Sequence, residues 1–185
     1  MSMSGLSGSA AGTVLNCGCR AQAAEIVIAG TRYLADFQGN LSVLLDPNAL
    51  AQFMAGVTNM VYLLIQEHVS TGVGTVIGTI TVVKDPVRVP PPSTITAIVS
   101  GQPFPAIQDM VVNIHVTIPN LLPGITLRNK IPPNPGPAIL RNSNVTNFPP
   151  QNDVYNLAEP IELEDVNNPG PVLATIRSFP LTVNP

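Results

Sequence analysis

The placement of proline is the feature that most constrains the fold of this chain. Of the 20 prolines among 185 residues, one (Pro47) lies in the first 85 residues and 19 lie from Pro86 onward. Because proline inside a helix removes a backbone hydrogen bond and clashes with the preceding turn, the second half cannot form long helices. Its apolar segments are short and bounded by Pro, Gly and Asn, as strands are. The sequence therefore predicts a mainly β protein.

Alternating apolar and polar residues support strands. In the segment MVVNIHVTI (residues 110–118), the even positions are apolar, and Asn113, His115 and Thr117 share the opposite face. Residues 60–84 combine an apolar run, the sequence STGVG and a second alternating segment, which predicts a β-hairpin. Further strands are expected at 25–30, 40–45, 94–99, 124–127 and 171–183.

One short helix is expected after the second predicted strand. Asp46 can accept hydrogen bonds from the first free backbone N–H groups, and Pro47 suits the first helical position. Apolar residues follow at helical spacing until Gly56, where the segment GVTN favours helix poorly.

These elements predict one β domain with an arm. The fold class expected is a jelly-roll-like β-sandwich over residues 23–185, with a stiff proline-rich connector at residues 84–92. Residues 1–22 are mostly small and are expected to form an extended N-terminal arm outside the core.

Composition limits the partners. Charged residues make up only 10% of the chain while hydrophobic residues make up 45%, which favours a protein packed against copies of itself as a homo-oligomer. The formal net charge is −3, the six arginines are scattered and no tryptophan is present, so nucleic acid is not expected as a partner. The apolar run at 60–65 is too short for membrane insertion, and no basic, apolar segment typical of a secretory signal is present.

The two cysteines, Cys17 and Cys19, lie one glycine apart in the predicted arm. A disulfide between them would close a very small, strained loop, and two thiolates are too few for a zinc site. The sequence therefore favours intersubunit disulfides formed by both residues, although idle thiols on a flexible tail remain the alternative.

The sequence shows no catalytic signature, and neither an enzyme nor a cofactor is expected. A G-x-S-x-G motif is absent, His115 is placed on the polar face of its strand, and His68 follows Glu67 near a strand end. Either histidine is expected to be an ordinary side chain, with a slightly stronger case for function at His68.

The densest charge lies in EPIELEDVNN (residues 159–168). Glu162, Glu164, Asp165 and Asn167 offer oxygen ligands for Ca²⁺ there, although the same composition is typical of a solvated loop.

The preferred function is a structural subunit that assembles into a fibre, tube or shell, as capsid and appendage subunits do. In this interpretation the arm contacts a neighbouring subunit. The expected location is an extracellular surface structure or a virion, reached without a signal peptide. The alternative is a β-sandwich binding module for a carbohydrate or a protein partner.

Overall fold

The computed structural model describes residues 12–130 and 136–184. In chain order the elements are β1 (Thr13–Ile28), β2 (Thr31–Leu45), α1 (Pro47–Met54), β3 (Met60–Gly74), β4 (Gly78–Lys84), β5 (Ser93–Ala97), β6 (Ala106–Val112), β7 (Ile114–Thr117), β8 (Thr126–Asn129), β9 (Ala138–Val145), β10 (Asp153–Leu157), β11 (Ile161–Asp165), β12 (Ala174–Ser178) and β13 (Leu181–Asn184). The prediction of a mainly β protein with one short helix is confirmed.

All strand pairs are antiparallel, and the sheet closes on itself twice. The first ring contains the eight strands β1, β2, β3, β4, β7, β8, β11 and β12 and closes through the pair β12–β1. The second ring contains β1, β2, β3, β5, β6, β9, β10 and β13 and closes through the pair β3–β5. Eight strands closed on themselves leave an interior just wide enough for side chains to fill.

The three longest strands belong to both rings. β1, β2 and β3 have 16, 15 and 15 residues. Different parts of β1 and of β3 pair with the two further sets of strands, and β2 lies between β1 and β3. Residues 25–28 of β1 pair with β12 in the first ring, whereas residues 18–21 pair with β13 in the second. Along β2, every second residue from Ala35 to Leu45 is buried or, at Gly39, half-buried. The same face of the strand therefore faces the interior of both rings.

Two other segments each supply one strand to each ring, with a single break between the two strands. The alternating segment 110–118 supplies the end of β6 to the second ring and β7 to the first, with the break at Asn113. The predicted strand at 171–183 divides into β12 and β13, because Pro180 has no N–H with which to continue the ladder. The hairpin at 60–84 is confirmed, but β3 continues through STGVG and turns at residues 75–77.

The helix covers one end of the second ring. Asp46 caps it, with its carboxylate oxygen Oδ1 accepting hydrogen bonds from the N–H groups of Asn48 at 2.8 Å and Ala49 at 3.4 Å. Phe53 is fully buried and contacts Phe104 edge to face, with ring centroids 5.9 Å apart. The predicted helix is therefore confirmed, and its apolar face closes the ring interior.

The connector between β4 and β5 joins the two rings and is fixed by a buried polar network. Asp85 is 2% exposed and accepts hydrogen bonds from the Arg88 side chain and from the backbone N–H groups of Val87 and Arg88. Arg88 in turn donates to the backbone and side-chain oxygens of Asn129 at 2.8 and 2.9 Å. Burial raises the pKa of Asp85, but these hydrogen bonds outweigh it and hold the pKa at about 2.

Two sequence predictions about architecture need correction. The jelly-roll-like β-sandwich is not confirmed, because the strands form one sheet closed into rings rather than two stacked sheets. The N-terminal arm at 1–22 is wrong for residues 13–22, which form the first part of β1 and pair with β2 and β13. Residues 1–11 lie outside the described residues.

Candidate functional site

An open groove of about 590 Å³ lies where β13, β1, β2 and β3 run side by side. We call it the central groove, and its volume lies within the range usual for small-molecule sites. The polar residues that line it are Arg20, Gln22, Asp36, Gln38, Asn40, Thr71 and Asn184. Glycine and apolar residues complete the lining: Gly18, Cys19, Phe37, Gly39 and Val73.

Strand alternation places the polar side chains in this groove. On β1, Cys17, Cys19 and Ala21 are buried in the core, so Gly18 and Arg20 face outward. The same rule turns Asp36, Gln38 and Asn40 of β2 outward. Neighbouring strands bring these two rows together, since Arg20 pairs with Gln38 and Gly18 pairs with Asn40.

A β-bulge forms one end of the central groove. Gln22 and Ala23 of β1 together face Asp36 of β2, because the register shifts between Ala21 and Ala24. Ala23 adopts φ of 51°, in the left-handed region that residues with a side chain rarely occupy. Asp36 stabilises this conformation, because its Oδ1 accepts a 2.7 Å hydrogen bond from the Ala23 N–H. A bulge of this kind changes the direction of the neighbouring side chain, here Gln22.

Two glycines define the shape of the groove for opposite reasons. At Gly39, an added Cβ would lie 1.9 Å from the carbonyl oxygen of Val69, so β2 and β3 approach too closely for any side chain. At Gly18, an added Cβ would come no nearer than 4.0 Å to another atom, the carbonyl oxygen of Asn184. The space beside Arg20 is therefore open.

Arg20 differs from most arginines of the chain in its electrostatic environment. Ion pairs with carboxylates are made by Arg32, Arg88, Arg128 and Arg141. Within the described residues, Arg20 and Arg177 make none. Asp36 is the one carboxylate among the described residues that line the central groove, and one of its oxygens is already bonded to the bulge.

A second, internal cavity lies where the two rings meet. It has a volume of about 20 Å³, enough for one water molecule, and is lined by His68 and by apolar residues that include Val112, Ile176 and Phe179. The Nε2 atom of His68 lies 3.2 Å from the Ser70 hydroxyl oxygen. Burial lowers the pKa of His68 to about 4, so the ring is neutral at pH 7. The sequence placed His68 near a strand end, whereas it is a core residue.

The predicted intersubunit disulfides are wrong. Cys17 and Cys19 are 6% and 4% exposed, they point into the second ring, and neither forms a disulfide. Burial raises the pKa of both thiols, to about 11 for Cys19, where the neighbouring Cys17 adds to the effect. Thiols that are buried and protonated neither reach another subunit nor react readily.

The four residues of the predicted cation loop have separate roles in the structure. The Glu164 carboxylate accepts hydrogen bonds from Arg128 Nε at 3.0 Å and from the Gly170 N–H at 2.9 Å. Asp165 accepts a hydrogen bond from the Asn167 N–H at 2.8 Å, and Glu162 is half-buried. Within residues 12–130 and 136–184, no group of three or more His, Cys, Asp or Glu side chains could hold a metal ion. The cation loop stays a prediction from the sequence.

His115 lies on the polar side of β7, as the alternation predicted, but it is 18% exposed and has a partner. Its Nε2 atom lies 3.2 Å from Asp85 Oδ2. His115 therefore belongs to the network that fixes the connector.

The sequence reasoning did not find the central groove. A signal was present, because the segment LNCGCRAQ alternates small or apolar residues with Asn16, Gly18, Arg20 and Gln22. The composition of residues 1–22 suggested an arm, and this interpretation left the strand-like alternation unused. No sequence pattern predicts that Arg20 meets Gln38, because their pairing depends on the register of β1 against β2.

Comparison with known proteins shows what fold this is. No family model matches the sequence, and no curated protein is significantly similar to it. One solved structure is similar over 94% of this chain and 80% of its own, with a TM-score of 0.77 and 23% sequence identity. It is DynF from the dynemicin biosynthesis pathway of Micromonospora chersina. At this identity the resemblance establishes a shared fold.

This resemblance corrects the function predicted from the sequence. The chain is similar to a protein of a biosynthesis pathway, so the prediction of a self-assembling subunit of a fibre, tube or shell is contradicted. The predicted location in a surface structure or virion is wrong for the same reason. In the part of the chain that the structure describes, no helix has the length and apolar character needed to cross a membrane.

Proposed function

We propose that this protein binds a small molecule in the central groove. The observation that carries the proposal is the bulge at Gln22 and Ala23, with its left-handed alanine fixed by Asp36. A residue with a side chain in this conformation costs on the order of 1–3 kcal/mol, and such strain is concentrated at binding and catalytic sites. The strain here lies at the edge of a groove of about 590 Å³.

The lining of the central groove suits a ligand with several polar groups. Gln22, Gln38 and Asn40 each offer an amide that both donates and accepts hydrogen bonds. They stand on β-strands of a closed sheet, and sites built on strands are held more precisely than sites on loops.

The ring interiors support the choice of an outer site. Two cavities inside them, lined by described residues that are mostly apolar, have volumes of about 20 and 10 Å³. A molecule larger than a water would have to displace those side chains. The central groove needs no such rearrangement.

The shared fold agrees with this role, because DynF comes from a biosynthesis pathway. In our proposal the chain acts through binding. The groove brings together amides, one guanidinium and one carboxylate, and none of its exposed side chains is a paired nucleophile and base.

A fragment screen by amide NMR tests the proposal. ¹⁵N-labelled protein is titrated with a library of small polar fragments that includes neutral amides and alcohols. Binding fragments are expected to shift the backbone amide signals of Gly18, Gln22, Gln38 and Thr71 together. If fragments bind elsewhere, or no fragment shifts these signals, the proposal is wrong.

A pair of variants makes the screen specific. Gly18→Tyr places a ring in the open space of the central groove, where the Asn184 carbonyl oxygen lies 4.0 Å from an added Cβ. It is expected to abolish fragment binding while leaving the melting temperature nearly unchanged. Ile107→Tyr is the matched control, because Ile107 is an exposed residue of β6 and does not line the groove. Binding that survives Gly18→Tyr would contradict the proposal.

A further inference from the structure

We infer that Arg20 makes the central groove selective for small molecules that carry a carboxylate. The inference rests on the proposed function, because it names the ligand class for the same groove. Arg20 faces outward from β1, with Gln38 as its neighbour on β2 and Thr182 as its neighbour on β13. Both of these direct neighbours are uncharged, so neither forms an ion pair with the guanidinium.

The surroundings of Arg20 leave its hydrogen-bond donors available. No carboxylate of the described residues lies within ion-pair distance of Arg20, although four other arginines have such a partner. Gly18, two positions before Arg20 on the same face, has no side chain to cover it. A guanidinium presents donors in a planar fork, and a carboxylate fits that fork with two parallel hydrogen bonds.

The two charges of the central groove favour a ligand with one negative charge over a ligand with two. Arg20 contributes one positive charge and Asp36 one negative charge, and the described lining residues include no lysine and no second arginine. A phosphate monoester carries almost two negative charges at pH 7, so Asp36 would repel it more strongly than a carboxylate. One arginine beside one acidic residue therefore suits a single carboxylate.

The β3 side of the central groove favours a ligand with an apolar body. Val73 of β3 is 64% exposed and lines the groove, which offers an apolar surface to the body of a bound molecule. Val73 pairs with Asp36 on β2, and Gln38, the next outward residue of β2, lies diagonally between Val73 and Arg20. The ligand class is therefore a small amphipathic carboxylic acid, with its carboxylate on Arg20 and its apolar body toward Val73.

Benzoate and benzamide are the probes for this inference, because they share size and ring and differ in charge. Each is titrated into ¹⁵N-labelled full-length protein at low salt. Benzoate is expected to shift the amide signals of Gly18, Arg20 and Gln38 with an affinity up to about fivefold above that of benzamide, since an ion pair on an exposed arginine contributes up to about 1 kcal/mol. Phenyl phosphate is expected to bind more weakly than benzoate.

Variants assign the preference to Arg20. Arg20→Gln is expected to make benzoate and benzamide bind equally, and Arg20→Lys is expected to retain only part of the preference. Arg177→Gln is the matched control, because Arg177 is also exposed and makes no ion pair within the described residues. It is expected to leave the preference unchanged.

The outcomes separate the two proposals. Equal affinity for benzoate and benzamide at the groove signals, or a preference that survives Arg20→Gln, overturns the carboxylate selectivity and leaves small-molecule binding standing. If no fragment of any charge shifts the groove signals, both proposals are wrong.

Discussion

Folding stability is expected to fall between pH 7 and pH 5 because of His68. The ring is buried beside apolar residues, and its pKa is lowered from 6.5 to about 4, so the folded protein disfavours the proton that the unfolded chain accepts. The stabilising effect of the neutral ring is complete above pH 6.5 and is lost as the pH falls toward 4. With these two pKa values, linkage gives a loss of about 2 kcal/mol between pH 7 and pH 5.

Urea unfolding followed by circular dichroism at a series of pH values measures this loss directly. Asp85 and Glu164 also have lowered pKa values, but their contribution is lost at lower pH, where carboxylates take up protons. His68→Gln is expected to flatten the dependence between pH 7 and pH 5. Because His68→Gln also changes the packing of the core, the His68 ring is titrated by NMR in the wild-type protein as well. A pKa near 6.5, or a stability independent of pH in this range, would refute the reasoning.

Three further predictions concern stability and reactivity. Gly39→Ala is expected to destabilise the fold by about 3 kcal/mol, since its Cβ would overlap the backbone of β3; an unchanged urea midpoint would contradict the close approach. Cys17 and Cys19 are expected to react with a thiol reagent only in denaturant, and fast labelling of the native protein would show that they are not buried. Asp85→Asn is expected to cost roughly 3 kcal/mol in thermal or urea unfolding, because it leaves Arg88 without its counter-charge, and a loss below about 1 kcal/mol would argue against the network.

The helix and the hairpin were predictable because they depend on residues that are close together in the sequence. The helix followed from Asp46 and Pro47, whose side chain and ring act on adjacent backbone groups. The hairpin at 60–84 followed from alternation and a turn. Ring closure was not predictable, because alternation reports that one face of a strand is buried and is the same in a stacked pair of sheets and a closed sheet.

The beginning of the chain shows why composition misled. Small residues such as Gly18 and Ala21 suggested an arm too poor in apolar area to join a core. In the structure Cys19 and Ala21 are buried because β1 pairs on one side with β2, across a hairpin, and on the other side with β13, from the far end of the sequence. Burial of Cys17 and Cys19 depends on those long-range pairs. The oligomeric state stays a prediction from composition, and sedimentation velocity measures it.

A crystal structure of the protein soaked with benzoate tests the central claim most directly. The account predicts one benzoate in the central groove, with its carboxylate on the Arg20 guanidinium, its ring toward Val73, and the bulge at Gln22 and Ala23 unchanged. Benzoate inside either ring, or a central groove covered by a second copy of the chain, would contradict it.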